Sequence, residues 1–514
     1  MNALLFPANF ALATDLLLAT AGEDLTVERF FLHPATLIEL THLLIVIVIA
    51  IRVIMKRPGT GVALAWLMLV ATIPFGGALV YLLIGEHRIG DRRTRRINNL
   101  RTDYEKISQA AIEEGITDVA WSRHAPAARA MDRLGRKTVG FPTVRGSNFE
   151  IFSDTQKMLQ AIRQDVDGAK TSVLMEFYIW DDGGSADDVL EAVIRAAQRD
   201  VSCRLLIDAL GARPWWKSNG PQRLRDAGVQ LEDALPVGLF RTFVGRTDLR
   251  LHRKIVVVDG EVAWTGSMNL VDPRYFKQDS GVGEWVDAMV RLQGAVVAPL
   301  AATMIGDWSL ETGEPIADLI ASAGLRLVEP QGSADIQVLP SGPGQTSDGL
   351  LQMLLGLVNA AQQELVLTTP YLVPDESLLR ALRGAAGRGV EVSLIVPEKV
   401  DSFLTRYASR SYYDDLLDVG VRIYLYRGGL LHTKSIVVDR AMSMFGTVNL
   451  DMRSLWLNYE VSLFVYEPEF ANRLRVLQQT YIDDSDRLDP VEWGERSFGA
   501  RLLENALRLM SPLL

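Results

Sequence analysis

LHRKIVVVDG at 251–260 and LLHTKSIVVD at 430–439 repeat one pattern: histidine, a spacer, lysine, four residues, aspartate. The chain has 6 histidines, and two of them occupy equivalent places in these copies. The β-branched run after each lysine reads as a strand, in which alternate residues share a face. His252 and Lys254 are therefore expected on one side, with Arg253 and Ile255 on the other. His432 and Lys434 repeat the arrangement against Thr433 and Ser435. An imidazole beside a fixed ammonium suits a phosphate centre. The imidazole can attack or give a proton, and the ammonium can hold non-bridging oxygens.

Each copy is followed by a second short signature. TGSMN supplies Gly266, Ser267 and Asn269, and FGTVN supplies Gly446, Thr447 and Asn449. Glycine permits close backbone approach, while a hydroxyl and an amide are neutral donors for phosphate oxygens. Carboxylates come next, Asp287 in GEWVDAMV and Glu460 in NYEVSLFV. Either can accept the Nδ1 proton of a histidine and so leave Nε2 free. Asp259 and Asp439 end their strands where the chain must turn, which fits a turn-forming role and a catalytic one equally.

The likeness extends well beyond the motifs. SVLMEFYIW (172–180) resembles LVLTTPYLV (365–373), and AVIRAAQRDVSCRLLID (192–208) parallels ALRGAAGRGVEVSLIVP (381–397). LRDAGVQL (224–231) parallels LLDVGVRIYL (416–425) just ahead of each motif. Strands alternating with helices predict an α/β sheet with buried parallel strands. A repeat of this length is too long for a solenoid unit and reads as a duplicated domain, two α/β halves packed about a pseudo-twofold axis.

At 514 residues and 48% hydrophobic, with a positive mean hydropathy, the chain leans toward a membrane protein of more than one domain. A net charge of −10 is a poor starting point for neutralising nucleic-acid phosphates, so no nucleic-acid partner is expected. The 1 cysteine, Cys203, excludes an internal disulfide and a cysteine-rich zinc site, and its apolar surroundings predict a buried thiol. Residues 62–84 run 23 positions without a charge, enough to cross a hydrocarbon core of roughly 30 Å. Residues 37–55 are nearly as apolar, with Glu39, His42 and Arg52 near the ends, and KRPGTG joins the two into a predicted transmembrane hairpin. Arg88, Arg92, Arg93, Arg95 and Arg96 outnumber Lys56 and Arg57 in the turn, which places the C-terminal part in the cytoplasm. The first 22 residues lack a cationic start, and Pro7 and Asp15 argue against a span there.

H-x-K-x₄-D with a downstream G-[ST]-x-N, present twice, resembles the phospholipase D superfamily. Within it, MEFYIWDDG (175–183), the two motif regions and the hairpin at 56–86 are similar to the bacterial cardiolipin synthases of the phosphatidylglycerol-dependent type. The likeness runs from about residue 40 to the C-terminus. It implies a duplicated phospholipase D-like α/β domain whose halves face each other and form one site, behind an N-terminal transmembrane hairpin. Two phosphatidylglycerol molecules, donor and acceptor, would give cardiolipin and glycerol through a phosphohistidine. His252, Lys254, Asp259, His432, Lys434 and Asp439 are then the catalytic set. Ser267, Asn269, Thr447 and Asn449 would bind phosphate, and Asp287 and Glu460 would orient the histidines. By the same analogy His252 attacks and His432 handles the proton, although the pseudo-symmetry leaves the reverse open. No cofactor is implied, and the adjacent lysines would repel a metal cation.

The resemblance also implies the bacterial inner membrane, with the lipid bilayer as partner and a homo-oligomer left open. Hydrolytic release of phosphatidic acid would use the same residues, and a non-catalytic scaffold is disfavoured by two intact motifs. The resulting domain plan is an apolar segment 1–35, hairpin 36–86, basic connector 87–145, half one 146–330, half two 331–498 and an amphipathic tail 499–514. Trp215, Trp216, Phe240 and Phe243 fit either membrane contact or core packing. The tail fits either a membrane surface or a partner subunit.

Overall fold

The structure, a computed structural model, describes residues 34–85, 91–236, 246, 248–344 and 348–511. The apolar segment up to residue 33, Phe240 and Phe243 lie outside them. The described chain divides into two compact units, with the division between Arg88 and Ile89.

In the first unit, α1 (Pro34–Lys56) rises about 34 Å at 1.5 Å per residue, long enough to span a membrane. Its Leu43, Leu44, Ile47, Val48 and Ile51 are exposed, as a lipid-facing helix requires. The expected second span is interrupted. It forms α2 (Thr60–Thr72) and α3 (Gly76–Ile84), parted at Ile73-Pro74-Phe75, where Pro74 lacks an N–H and Phe75 has φ 58°. Among the described residues, α1 is the one helix both long and apolar enough to cross by itself. Ile49 and Val53 of α1 pack with Val70, Ala78 and Tyr81, so the hairpin has a small core of its own.

The second unit begins with α4 (Asp91–Glu113). Two arginines of the basic run have folding roles here. Arg93 pairs with Glu311 at 2.6 Å and donates to the Tyr459 hydroxyl, and Arg96 donates to the Leu310 carbonyl at 2.6 Å.

The strands of the first half are β1 (Val144–Phe152), β2 (Ser172–Phe177), β3 (Ser202–Asp208), β4 (Gln230–Ala234), β5 (Arg250–Leu251), β6 (Ile255–Val258), β7 (Val262–Gly266), β8 (Trp285–Val286) and β9 (Met289–Gly294). Those of the second are β10 (Ala334–Ser341), β11 (Glu364–Thr368), β12 (Leu372–Val373), β13 (Glu391–Pro397), β14 (Arg422–Tyr426), β15 (Leu430–Leu431), β16 (Ser435–Val438), β17 (Met442–Gly446), β18 (Leu450–Asp451), β19 (Asn458–Val465) and β20 (Ser485–Arg487). Sixteen of them build one sheet in which β4-β3-β2-β6-β7-β9-β1 is answered by β14-β13-β11-β16-β17-β19-β10, while β12 with β18 and β15 with β8 form two-stranded sheets. The halves join through the antiparallel β1–β10 pair. Parallel β2–β3–β4 and β11–β13–β14 are the predicted βαβ portions. α5 (Val297–Thr312) is apolar nearly all round and accordingly buried against the sheet.

The ladders correct one reading of the repeat. Val173 stands opposite Val258 and Leu365 opposite Val438, so Val173, not Ser172, corresponds to Leu365. A one-residue offset changes which side chains share a face, and hydrogen bonding decides it where apolar runs cannot.

Trp215 is a core residue stacked on Trp180 at 4.9 Å, and Trp216 packs edge-on against it. The tail forms α7 (Phe498–Arg508), which packs on α6 (Phe403–Leu417) of its own chain. Its inward side is charged: buried Glu504 pairs with Arg410 and Arg496 at 2.6 and 2.7 Å. Phe498 and Leu502 on the tail helix are exposed.

Candidate active site

Two short ladders cross from one half to the other. Parallel pairing of β5 with β19 aligns Leu251 with Tyr459, and pairing of β15 with β8 aligns Leu431 with Val286. The next residue along each pair carries the chemistry, so each histidine meets the other half's carboxylate. His252 Nδ1 lies 2.8 Å from Glu460 Oε2, and His432 Nδ1 lies 2.7 Å from Asp287 Oδ1.

The carboxylates are themselves fixed. Thr447 Oγ1 donates to Glu460 Oε2 at 2.5 Å and accepts from the Val461 N–H. Asn458 Nδ2 donates to Glu460 Oε1 at 3.1 Å. Ser267 Oγ donates to Asp287 Oδ1 at 2.6 Å and accepts from the Ala288 N–H. Burial alone would push Glu460 and Asp287 up, but the facing imidazoles and the buried lysines bring both below the usual carboxyl value. An ionised carboxylate only accepts hydrogen bonds, so Nδ1 carries the proton and each Nε2 is left with its lone pair.

Burial pushes both imidazoles down to about 4, the lysines adding to the effect and the carboxylates opposing it. The resting site therefore holds two neutral imidazoles at neutral pH. Burial also brings Lys254 down to about 8 and Lys434 well below its ordinary value. Each ammonium is buried and donates to the carbonyl of its own motif's histidine, at 2.7 Å for Lys254 and 2.5 Å for Lys434. An entering phosphate anion would raise the proton affinity of both imidazoles and allow one to serve as an acid.

On the opposite side of the motif strand, Arg253 reaches across the halves. It donates to the carbonyls of Glu460 and Ser341 at 2.9 and 3.1 Å and pairs with Asp307. Glu176 lies in this layer, and burial followed by the nearby Asp307 pushes its carboxyl well above the ordinary value.

A cavity of about 720 Å³ opens onto His252, His432, Asn269 and Asn449 together. Three pairs of expected residues are outside its lining, and the first is Lys254 and Lys434, whose Nζ atoms lie on the histidine carbonyls. Ser267 and Thr447, expected on phosphate oxygens, are fully buried and engage the carboxylates with their hydroxyls. Asp259 accepts from the N–H groups of Lys170, Thr171 and Ser172, and Asp439 from those of Gln362, Gln363 and Glu364. At φ 55° and 50° they shape turns at the far end of the motif strands, so the turn reading is the one their surroundings fit. Asn269 and Asn449 stay at the cavity, where Asn449 Oδ1 is buried without a hydrogen-bond partner.

The cavity is also lined by Tyr178, Tyr371, Arg250, Arg453, Asn458 and Trp285, none of them singled out from the sequence as site residues. Strand alternation held a signal for three of these: Arg250 lies two before His252, Asn458 two before Glu460 and Trp285 two before Asp287. Asp401, which accepts from the Tyr371 hydroxyl at 2.7 Å, had no such signal.

Comparison with known proteins gives a consistent result. A family model described as cardiolipin synthase, PLD-like domain, matches residues 162–283 and 354–480, and one described as phospholipase D-nuclease N-terminal matches 44–86. Cardiolipin synthase A of Erwinia tasmaniensis is 41% identical over 95% of this chain and 100% of its own length. Cardiolipin synthase A of Serratia proteamaculans is 40% identical over 95% of this chain and 100% of its own. Among solved structures, the phosphatidylserine synthase of Haemophilus influenzae matches with a TM-score of 0.57 at 16% identity, covering 75% of this chain and 100% of that one. That likeness concerns the fold.

Proposed function

Because the chain belongs to the cardiolipin synthase family of phosphatidyltransferases, with its duplicated phospholipase D-like domain, we propose that it converts two phosphatidylglycerol molecules into cardiolipin and glycerol. The observation that carries this reading is the pair of imidazoles facing one cavity, each with Nδ1 held by the opposite half's carboxylate.

One Nε2 attacks the phosphorus of the first lipid. A phosphorus–nitrogen bond forms while the bond to the headgroup glycerol oxygen breaks, and the facing imidazole gives that oxygen its proton. The headgroup hydroxyl of the second lipid then attacks the phosphohistidine. Its proton passes to the same facing imidazole, now a base, and the phosphorus–nitrogen bond breaks. Lys254 and Lys434 supply positive charge next to the reacting phosphate, and Asn269 and Asn449 can donate to its oxygens. One diester is exchanged for another, so the transfer runs near balance and in both directions. Both histidine side chains are at least nine-tenths buried, which limits competition by water.

In this reading the hairpin anchors a multi-pass inner-membrane protein with the catalytic unit in the cytoplasm; the length of α1 supports the anchor, and the arginine excess after residue 84 supports the orientation. The test supplies headgroup-labelled phosphatidylglycerol to the purified chain in lipid. Cardiolipin and glycerol in equal amounts are expected; phosphatidic acid as the main product would sink the reading. His252→Ala and His432→Ala should each abolish turnover, and full activity in either would contradict a shared site.

A further inference from the structure

The two halves match where bonds are made and differ beside it. Two residues before the motif histidine stands Arg250 in one half and Leu430 in the other. Two before the orienting carboxylate stands Asn458 ahead of Glu460 and Trp285 ahead of Asp287. The cross-half ladders make these positions partners: Arg250 lies opposite Asn458, and Leu430 opposite Trp285. Four residues after the signature asparagine, Arg453 in the second half answers Pro273 in the first.

The cavity consequently has two unlike walls. Beside His252 stand Arg250, Asn458 and Arg453, the last with Nη2 at 2.6 Å from the Asp248 carbonyl, and the Tyr178 ring lies 5.1 Å from the imidazole. Beside His432 the Trp285 ring lies 4.4 Å from the imidazole, with Phe276 edge-on to it at 5.2 Å.

Two identical half-sites would serve one phosphate with two imidazoles. The reaction proposed above asks for more, because its acceptor brings a second phosphodiester. When the acceptor hydroxyl meets the phosphohistidine, that second anion lies three carbons and one oxygen away, inside or at the rim of the same cavity. An anion taken there from water needs charged donors in place of its hydration. We propose that Arg250 and Arg453, with Asn458 beside them, form the acceptor lipid's phosphodiester site, with the adjacent His252 taking the acceptor's proton and the facing His432 carrying the phosphorus. The proposal rests on the reading of the chain as a phosphatidylglycerol-to-cardiolipin transferase.

The local chemistry fits. A guanidinium presents five N–H groups in a planar fork that matches two phosphate oxygens, and Arg453 uses Nη2 on the Asp248 carbonyl. Asp451 is a carboxyl in the same lining. It accepts from the Ser454 N–H at 2.7 Å, and burial pushes its pKa above the ordinary value. The aromatic wall offers no comparable anion partner apart from Lys277, which is paired with Asp401 at 3.3 Å.

The test uses a reaction that needs one phosphodiester only. Attack of free glycerol on the phosphohistidine regenerates phosphatidylglycerol, the first half-reaction run backwards. Labelled glycerol is added to the full chain in phosphatidylglycerol-containing vesicles, and cardiolipin formation and label exchange into phosphatidylglycerol are read together. In Arg250→Leu/Arg453→Gln the ratio of cardiolipin formation to exchange should fall at least tenfold. The phosphatidylglycerol concentration giving half-maximal cardiolipin formation should rise, and Arg453→Lys should lose less than Arg453→Gln. Exchange also reports that the variant is folded. A ratio within twofold of the parent, including proportional loss of both activities, would overturn the proposal. A parent chain that exchanges glycerol but forms no cardiolipin would overturn the transferase reading and the acceptor site with it.

Discussion

Glu460→Gln tests whether the exchanged carboxylate acts on its histidine or merely fills space. The substitution keeps volume and removes one charge. At the 2.8 Å separation of His252 Nδ1 and Glu460 Oε2, a full ion pair in an effective dielectric of about 20 is worth ~6 kcal/mol, an upper bound for what imidazolium gains. The amide retains a neutral hydrogen bond, provided its oxygen faces His252. Its NH₂ then meets Asn458, whose Oδ1 is buried without a partner and can turn to accept it. The tautomer survives, and the loss is the charge-assisted part, about 1.5–3 kcal/mol or roughly 10- to 150-fold in kcat. KM should stay within about threefold of the parent, since the Glu460 side chain is fully buried. Glu460 also holds the His252 proton affinity up, so its removal should move the limb of the pH–rate profile that reports His252 to lower pH. The assay is cardiolipin formation against pH, with a thermal melt to confirm folding. A loss under threefold, or a profile in which neither limb moves, would falsify the orienting role. Adding Glu460→Gln to His252→Ala should cost nothing further, because the pair works as one unit.

Asp439→Ala should lower Tm by several degrees, because three N–H groups lose a shared acceptor and alanine must take φ 50°. The folded fraction should keep kcat within twofold of the parent, so a collapse of kcat at unchanged Tm would return Asp439 to the chemistry. Acid should destabilise the catalytic unit through the two histidines. Each has a folded pKa of about 4 against 6.5 when unfolded, so between those values the unfolded chain binds more protons. Their contribution, on the order of 3 kcal/mol each, is complete above about pH 6.5 and lost as the pH falls toward 4. Melting of the detergent-solubilised chain at pH 6.5 and 4.5 should show this drop, and His252→Gln/His432→Gln should flatten it; an unchanged slope would count against neutral buried imidazoles.

Most of the architecture was legible because strand alternation and a duplicated motif are local signals. His252, His432, Asn269 and Asn449 reach the cavity from residue pattern alone. What local pattern could not supply was partnership. Nothing between residues 252 and 287 says that Asp287 serves His432, because that depends on two-residue ladders formed between distant segments. Ser267 and Thr447 look like phosphate donors by type, yet a buried ionised carboxylate requires a donor and takes their protons first. The break at Ile73-Pro74-Phe75 was visible as Pro74, but an uncharged run of adequate length also fits a Pro-containing span.

The exchange of carboxylates explains why this duplication cannot be two machines. A first half by itself would bury Asp287 without the imidazole that helps hold it ionised, and would leave His252 without an acceptor at Nδ1. Arg253 would lose the Ser341 and Glu460 carbonyls that it grips across the junction. Leaving a buried polar group without its hydrogen-bond partner costs about 1–3 kcal/mol, and more for a charged one, so neither half retains its site alone. The histidines, lysines, carboxylates and their hydroxyl donors are tied in that way, and both copies carry the same chemistry. Arg250 and Leu430, Asn458 and Trp285, and Arg453 and Pro273 lie just outside that constraint. Substitution there alters the cavity wall without unpairing a histidine, except at Asn458, which also donates to Glu460. A pseudo-symmetric centre can therefore become directional at its flanks, with Arg250 and Arg453 on one side and Trp285 and Phe276 on the other. A substrate pair that enters as two copies of one lipid but reacts as donor and acceptor needs that inequality.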